Sequence, residues 1–286
     1  MWLLLAFGSA LASTCISSLF KVSDKHLDAV LVSCALAFGS FLFSGIALAL
    51  TNDWEGNRQV YMLAAGVSAI DYIALLLYVK ALRMSDISLV SPITAFTPFF
   101  ILFVGPLING QIPSSIGSLG VLLVVAGSYV MSLSKAREGV FAPIRALVFE
   151  PGCRLMIFAS VAWAITSSFH SKGIDLSNPL TYSFVKGAML SIALAITCLF
   201  RIPEWPQQLR GGMKLLGALA ACSFLADMGM LFAMKGALVV YVISIKRSSI
   251  LLNVLVGAWL FKEKNIVERL LGSLFILAGV CIIAMT

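Results

Sequence analysis

Charge is scarce in this chain. Lys, Arg, Asp and Glu make up 12% of its 286 residues, about half the share of a soluble globular domain. Long polar stretches are missing too. The longest linker, Ser134–Arg154, is too short to hold a separate soluble domain. The six cysteines (Cys15, Cys34, Cys153, Cys198, Cys222 and Cys281) are scattered and form no C-x-x-C, so free apolar thiols are expected. With two histidines and no Cys/His cluster, neither a metal site nor a cofactor is expected. There is no H-E-x-x-H to hold a catalytic zinc. Asp71 in "IDY" and Asp227 in "ADM" lack the Tyr-Asp and Gly-x-Gly-Asp contexts of intramembrane aspartyl proteases, so no enzyme is expected. The first apolar run, "WLLLAFGSALAS", has no basic region before it. It therefore reads as a retained helix, not a cleaved leader.

What remains is apolar. Hydrophobic residues make up 60% of the chain, and the mean hydropathy is +1.01. A helix needs about 20 mostly apolar residues to cross the hydrocarbon of a bilayer. Ten such runs can be read, at roughly 1–20, 27–50, 60–82, 86–107, 114–133, 155–172, 178–200, 212–235, 238–261 and 266–285. Backbone polar groups must be paired within lipid, so these runs are expected to be helices. The fold class is an all-α membrane protein.

The net charge of +7 lies mostly in loops, where it meets headgroups and sets orientation; no nucleic acid is implied. Fourteen of the twenty cations fall in or beside the linkers after helices 1, 3, 5, 7 and 9. Only Arg58, Lys172 and Lys235 fall in the others. The positive-inside rule then places both termini outside the cytoplasm.

The chain also matches itself. Shifted by 152 residues, "ALRMSDISLVSPITAFTPFFILFVG" (81–105) lies over "AMKGALVVYVISIKRSSILLNVLVG" (233–257) without gaps. Gly105 falls over Gly257, Gly120 over Gly272, and Ala126-Gly127 over Ala278-Gly279. The expected organisation is one repeat over 1–135 (helices 1–5), a linker over 136–153, and a second repeat over 154–286 (helices 6–10). Five is odd, so the second copy enters the membrane from the opposite side. Two inverted five-helix repeats are an arrangement of secondary transporters, whose substrate sites lie near the midplane.

These repeats resemble the EamA-type unit of the drug/metabolite transporter superfamily. The resemblance rests on Ala-Leu, then Pro98, Gly105 and "GSLGVLLVVAG", and in the second copy on "LVGAWLFKEKNIVERLLGSLFILAGV". It implies ten helices and alternating access.

The remaining three cations, Lys186, Lys246 and Arg247, lie inside the apolar spans, as do Asp71 and Asp227. Ionisable residues at membrane depth cost roughly 2.5–3.5 kcal/mol or more and usually face a cavity or a partner. Lys186, Asp227 and Lys246 each lie eight residues from the same face, about 12 Å deep at 1.5 Å per residue. Asp71 lies about 16 Å deep from that face. The expectation is one central slab of charges from four helices. Two readings follow: internal pairing, as Lys186 with Asp227 and Arg247 with Asp71, or a surplus positive charge that receives an anion. Arg suits bidentate contact with phosphate or carboxylate, and Lys adds a point charge. "SIKRSSILLNVLVG" is similar to the ninth helix of the plastid phosphate translocators, where a Lys-Arg pair holds the substrate's phosphate. The resemblance assigns that role to Lys246 and Arg247. Those transporters also use a lysine on helix 4. Here that helix carries Ser88, Ser91, Thr94 and Thr97, which shifts the expectation from a sugar phosphate to an organic anion.

The candidate substrate-binding set is therefore Lys246, Arg247, Lys186, Asp71, Asp227, Tyr241, Ser244, Ser91 and Thr94. Pro92, Pro98 and Pro106 predict a bent fourth helix. His170 and His26 are expected at the surface, and "KEK" (262–264) as a loop anchor. The expected function is secondary transport of a small anionic or zwitterionic metabolite, an organic phosphate or carboxylate, by exchange or proton coupling. The rivals are export of amino acids or amphipathic drugs, lipid-headgroup flipping, and a non-transporting scaffold. The expected partners are that substrate and the lipid of a bacterial inner membrane, with the protein a monomer or homodimer.

Overall fold

The computed structural model describes residues 1–23, 27–85, 91–133, 149–253, 256 and 266–286. The described residues form ten α-helices: α1 (Trp2–Ser23), α2 (Ala29–Thr51), α3 (Arg58–Met84), α4 (Thr97–Asn109), α5 (Ser115–Leu133), α6 (Pro151–Leu176), α7 (Pro179–Arg201), α8 (Trp205–Met234), α9 (Val239–Lys246) and α10 (Ile266–Ala284). A 3-10 helix, Ser91–Phe96, leads directly into α4. Helices α1, α2, α3, α6, α7 and α8 are each long and apolar enough to cross a membrane. Ile93–Asn109, Ser115–Val130 and Gly272–Ala284 are shorter apolar helices. The protein is an all-α membrane protein built as two five-helix repeats, α1–α5 and α6–α10. His26, Ser88 and the "KEK" segment lie outside the described residues, and so does the side chain of Ser91.

Polar residues mark where the helices stop. Asp28 caps α2 by accepting from the Val30 N–H at 2.8 Å, and its own N–H donates to the Gln208 side chain at 2.8 Å. Asn178 caps α7 by accepting from the Thr181 N–H, with Pro179 in the first turn, where its missing donor costs nothing. Asn52, at φ 54°, closes α2 in the left-handed region that asparagine tolerates, and Gly110, at φ 65°, closes α4 in the same way. Helix α8 begins at Trp205, seven residues before the expected 212. Pro206 starts that helix, and its polar first turns precede the apolar run from which the span was read.

The chain forms two compact units, and each takes helices from both repeats. One comprises α1, α2, α3 to Tyr72, α6 from Phe169, α7 and α8. The other comprises α3 from Ile73, the 3-10 helix, α4, α5, α6 to Ser168, α9 and α10. We call them the α1–α8 unit and the α4–α10 unit.

The α4–α10 unit carries the repeat in its packing. Helices α5 and α10 meet at their glycines. A Cβ on Gly279 would stand 2.5 Å from the Gly120 carbonyl oxygen, and one on Gly127 2.5 Å from the Gly272 carbonyl oxygen. In the repeat register Gly120 is equivalent to Gly272, and Gly127 to Gly279. Each glycine thus faces the equivalent of its neighbour's position. This is the reciprocal pattern of a two-fold contact, in which residue i meets j and the copy of j meets the copy of i. Small residues allow the backbones this approach, and close packing is what drives helix association in lipid. In the α1–α8 unit, α2 packs on α7 with Gly187 against Phe41 and Gly45 against Phe184. Helix α8 packs on α1, where Ser9 donates to the Ala226 carbonyl at 2.7 Å.

Candidate functional site

The fourth and ninth spans are both interrupted. The fourth is not one helix over 86–107; Ser91–Phe96 is wound as 3-10 helix before α4 begins. Pro98 accounts for the junction. It has no N–H for the Thr94 carbonyl four residues back. The Thr97 hydroxyl donates to that carbonyl instead, at 2.9 Å. On the far side, the Ser160 hydroxyl of α6 donates to the Ile93 carbonyl. The ninth span is not continuous over 238–261 either. Helix α9 ends at Lys246, and the ladder tightens across the next residues. Ser248 N–H donates to the Ile245 carbonyl at 2.9 Å and Ile250 N–H to the Arg247 carbonyl at 3.0 Å, both three residues back. The four-residue pattern resumes at Leu252 N–H to the Ser248 carbonyl. Adding 152 to 91–96 gives 243–248. The ninth span thus tightens at 247–248, the equivalents of 95–96, the last two residues of the 3-10 stretch in the fourth. A stretch of 3-10 winding in mid-helix often marks a functional hinge.

Arg247 sits at the ninth-span interruption and reaches across to the fourth. Its guanidinium Nη2 donates to the Thr97 Oγ1 at 3.0 Å. Thr97 is thus bound on both sides, giving its proton to Thr94 and a lone pair to Arg247. Tyr78 of α3 lies within electrostatic reach of Arg247 and packs against Trp163 with ring centroids 5.5 Å apart. Lys246 and Arg247 are both half-buried. The adjoining Ser248 hydroxyl is buried and has no hydrogen-bond partner among the described residues.

The other sequence candidates in this unit hold local positions. Thr94 contributes its carbonyl to Thr97. Ser244 is fully buried and donates to the Val240 carbonyl of its own helix at 2.7 Å. Tyr241 is buried where α9 meets the start of α5; its hydroxyl accepts from the Ser114 N–H at 3.1 Å and lies over Gly117.

Asp71, Lys186 and Asp227 belong to the α1–α8 unit. Lys186 Nζ stands 3.9 Å from Asp227 Oδ2, which also accepts from the Ser40 hydroxyl at 2.6 Å. The expected partnership of Lys186 with Asp227 is present. Arg247 and Asp71, the other expected pair, fall in different units. Lys246 and Arg247 fall in one unit, and Asp71, Lys186 and Asp227 in the other.

His170 departs from expectation. It is buried, not at the surface, and its Nδ1 hydrogen-bonds the Tyr182 hydroxyl at 2.8 Å. Its place near the end of a span suggested exposure, but α6 runs on to Leu176 and α7 covers this turn. Tyr182 is fully buried, and both Asp71 and Asp227 act electrostatically on its hydroxyl. The sequence reading missed Thr97 as Arg247's partner and Tyr182 altogether. The Thr-Pro step was the available signal for Thr97; nothing marked Tyr182 among the other buried aromatics.

Two five-helix repeats, overlapping interruptions of the fourth and ninth spans, and ionisable side chains set within apolar helices define a membrane transport protein. The chain belongs to the EamA-like transporter family, whose sequence profile matches residues 1–133 and 150–285. No curated protein sequence matches it. A solved structure titled "Crystal structure of protein" superimposes with a TM-score of 0.74, at 19% identity, over 99% of this chain and 98% of its own. At that identity the likeness is one of fold.

Proposed function

We propose that this protein is a secondary active transporter of a small anionic or zwitterionic metabolite, an organic phosphate or carboxylate, working by alternating access in a bacterial inner membrane. The observation that carries the reading is the paired interruption of the fourth and ninth spans, with Arg247 donating across it to Thr97 at 3.0 Å. Interrupted helices at matching points of inverted repeats are where transporters of this design bind cargo, because unwound turns free polar backbone for it. Arg247 supplies a planar fork for the acid group and Lys246 a second charge. Tyr241, Ser244, Ser91 and Thr94 frame the two interruptions. Asp71, Lys186 and Asp227 set the charge balance of the cycle.

A bound anion lowers the positive charge that Lys246 and Arg247 carry through a low-dielectric interior. The transport this supports is exchange of anion for anion, or proton-coupled movement. Purified protein in liposomes loaded with labelled substrate should release it only when a counter-substrate is present outside. Equal release into plain buffer refutes exchange.

One observation favours a second reading, export of amphipathic molecules. The α1–α8 unit has a 460 Å³ cleft between α2, α7 and α8, lined almost wholly by apolar side chains including Phe38, Leu42, Leu199 and Met213. Stabilisation by apolar amines, with no response to anions, would select it.

A further inference from the structure

The cleft between α2, α7 and α8 differs from a solute site in its shape and lining. Cys198, Leu216 and Ala220 form a buried floor. Phe38, Leu199 and Met213 form exposed walls, so the cleft opens outward along the helices and is not a closed chamber. In a chain that spans a membrane, apolar walls exposed in this way face hydrocarbon. Along α2 the cleft runs from Leu31 to Phe43, about 18 Å at 1.5 Å per residue. One leaflet of hydrocarbon is about 15 Å deep, half of the whole core. The cleft is therefore as long as a lipid chain lying beside the helices.

Charge gathers at one end of it. Trp205 lines the cleft where α8 begins, as indoles do at headgroup level. On α8, Arg210 and Lys214 directly follow the lining residues Leu209 and Met213. Arg201 ends α7, two residues past Leu199. All three cations are exposed, and among the described residues none of them forms an ion pair. Against them stand Glu204 and Asp28, the acid that caps α2, so three cations against two acids leave this rim at net +1. The opposite end, at Phe43, Ala195 and Ala220, has no polar side chain. A cationic rim above a hydrocarbon-lined groove has the outline of a phospholipid.

We propose that this cleft binds an anionic phospholipid, with one acyl chain in the groove and the phosphate among Arg201, Arg210 and Lys214. Arginine forks match phosphate oxygens, and basic pockets between membrane helices hold anionic headgroups. A transporter's cargo site lies near the midplane, whereas this cleft reaches headgroup level and offers a water-borne solute almost no polar group. The lipid would tie α2, α7 and α8 together. The inference does not depend on the cargo, because Lys246 and Arg247 belong to the other unit.

The test is native mass spectrometry of the full chain, delipidated in detergent and given phosphatidylglycerol and phosphatidylcholine of matched chains in equal amounts. Phosphatidylglycerol should be preferred by at least about fivefold, the factor that one cation beside an anionic headgroup supplies. Arg201→Gln, Arg210→Gln and Lys214→Gln together should bring the two lipids level. Gly217 lines the cleft, and a Cβ there meets nothing within 4 Å. Gly217→Leu should therefore fill the groove and lower occupancy by both lipids. An unaltered elution volume shows that the variants are folded. Four results each overturn the proposal: equal binding of the two lipids to the wild type, a preference that survives the three glutamines, occupancy untouched by Gly217→Leu, or a dimer that Gly217→Leu dissociates, which would seat a second copy of the chain in the cleft.

Discussion

The crossing of α5 and α10 offers a prediction whose size can be worked from geometry. Replacing Gly279 with Ala places a methyl group 2.5 Å from the Gly120 carbonyl oxygen, 2.7 Å from Val124 Cγ2 and 2.9 Å from the Val124 nitrogen. Ordinary contact begins near 3.4 Å, so the helices must part by close to 1 Å. Two of the three atoms are backbone and cannot swing aside. Overpacking of this kind typically costs about 1–3 kcal/mol. The better helix propensity of Ala returns up to about 1 kcal/mol, leaving a net loss of roughly 1–2 kcal/mol. For a chain of this size that is several degrees of melting temperature. Gly217→Ala is the control, since a Cβ there meets nothing within 4 Å and only the propensity gain remains. The assay is thermal unfolding in detergent followed by intrinsic fluorescence. Gly120→Ala strikes the same contact from the other side, with its Cβ 2.9 Å from the Gly279 carbonyl oxygen. The double variant should therefore lose less than the sum of the singles. Gly127→Ala, two turns away, should add to Gly279→Ala. A Gly279→Ala protein as stable as the Gly217→Ala control refutes the close crossing.

Other predictions follow from single contacts. Thr97→Val keeps the shape but strips Arg247 of its acceptor and Thr94 of its donor; it should cost about 1–3 kcal/mol, read by thermal unfolding. Serine at the same position should restore most of the loss. In the α1–α8 unit, Cys34 of α2 and Cys198 of α7 line one cleft, so mild oxidation in the membrane should cross-link α2 to α7. Cleaving the chain between α5 and α6 should then leave the halves joined in wild type and separate in Cys34→Ser. Reporter fusions should place both termini outside the cytoplasm, as the loop cations predict; cytoplasmic activity at either end refutes that orientation.

The ten helices could be read from apolar length alone, because lipid leaves the backbone no alternative to internal pairing. The glycine register was equally legible. Gly120 over Gly272 and Gly127 over Gly279 announced a repeat, and the same four residues form its symmetric contact. Proline foretold an irregular fourth span but not its form, a 3-10 turn held by Thr97. The ninth span has no proline, so its tightening at Arg247–Ser248 left no trace in composition. Depth along a helix placed Lys186 and Asp227 together correctly. Depth fixes one coordinate and says nothing of which helices pack together, so it did not assign the five charges to the two units. His170 misled for a related reason, since closeness to a helix end does not decide which face its neighbour covers.

The central claim is that Lys246 and Arg247, at the interruption of the ninth span, hold the acid group of the cargo. Thermal-shift screening of the purified protein against phosphorylated metabolites, carboxylates and amino acids tests it directly, repeated on Lys246→Ala and on Arg247→Lys. The account predicts stabilisation by one or more anions, lost in the first variant and weakened in the second, where a point charge replaces the fork. Undiminished anion stabilisation in both variants would contradict it.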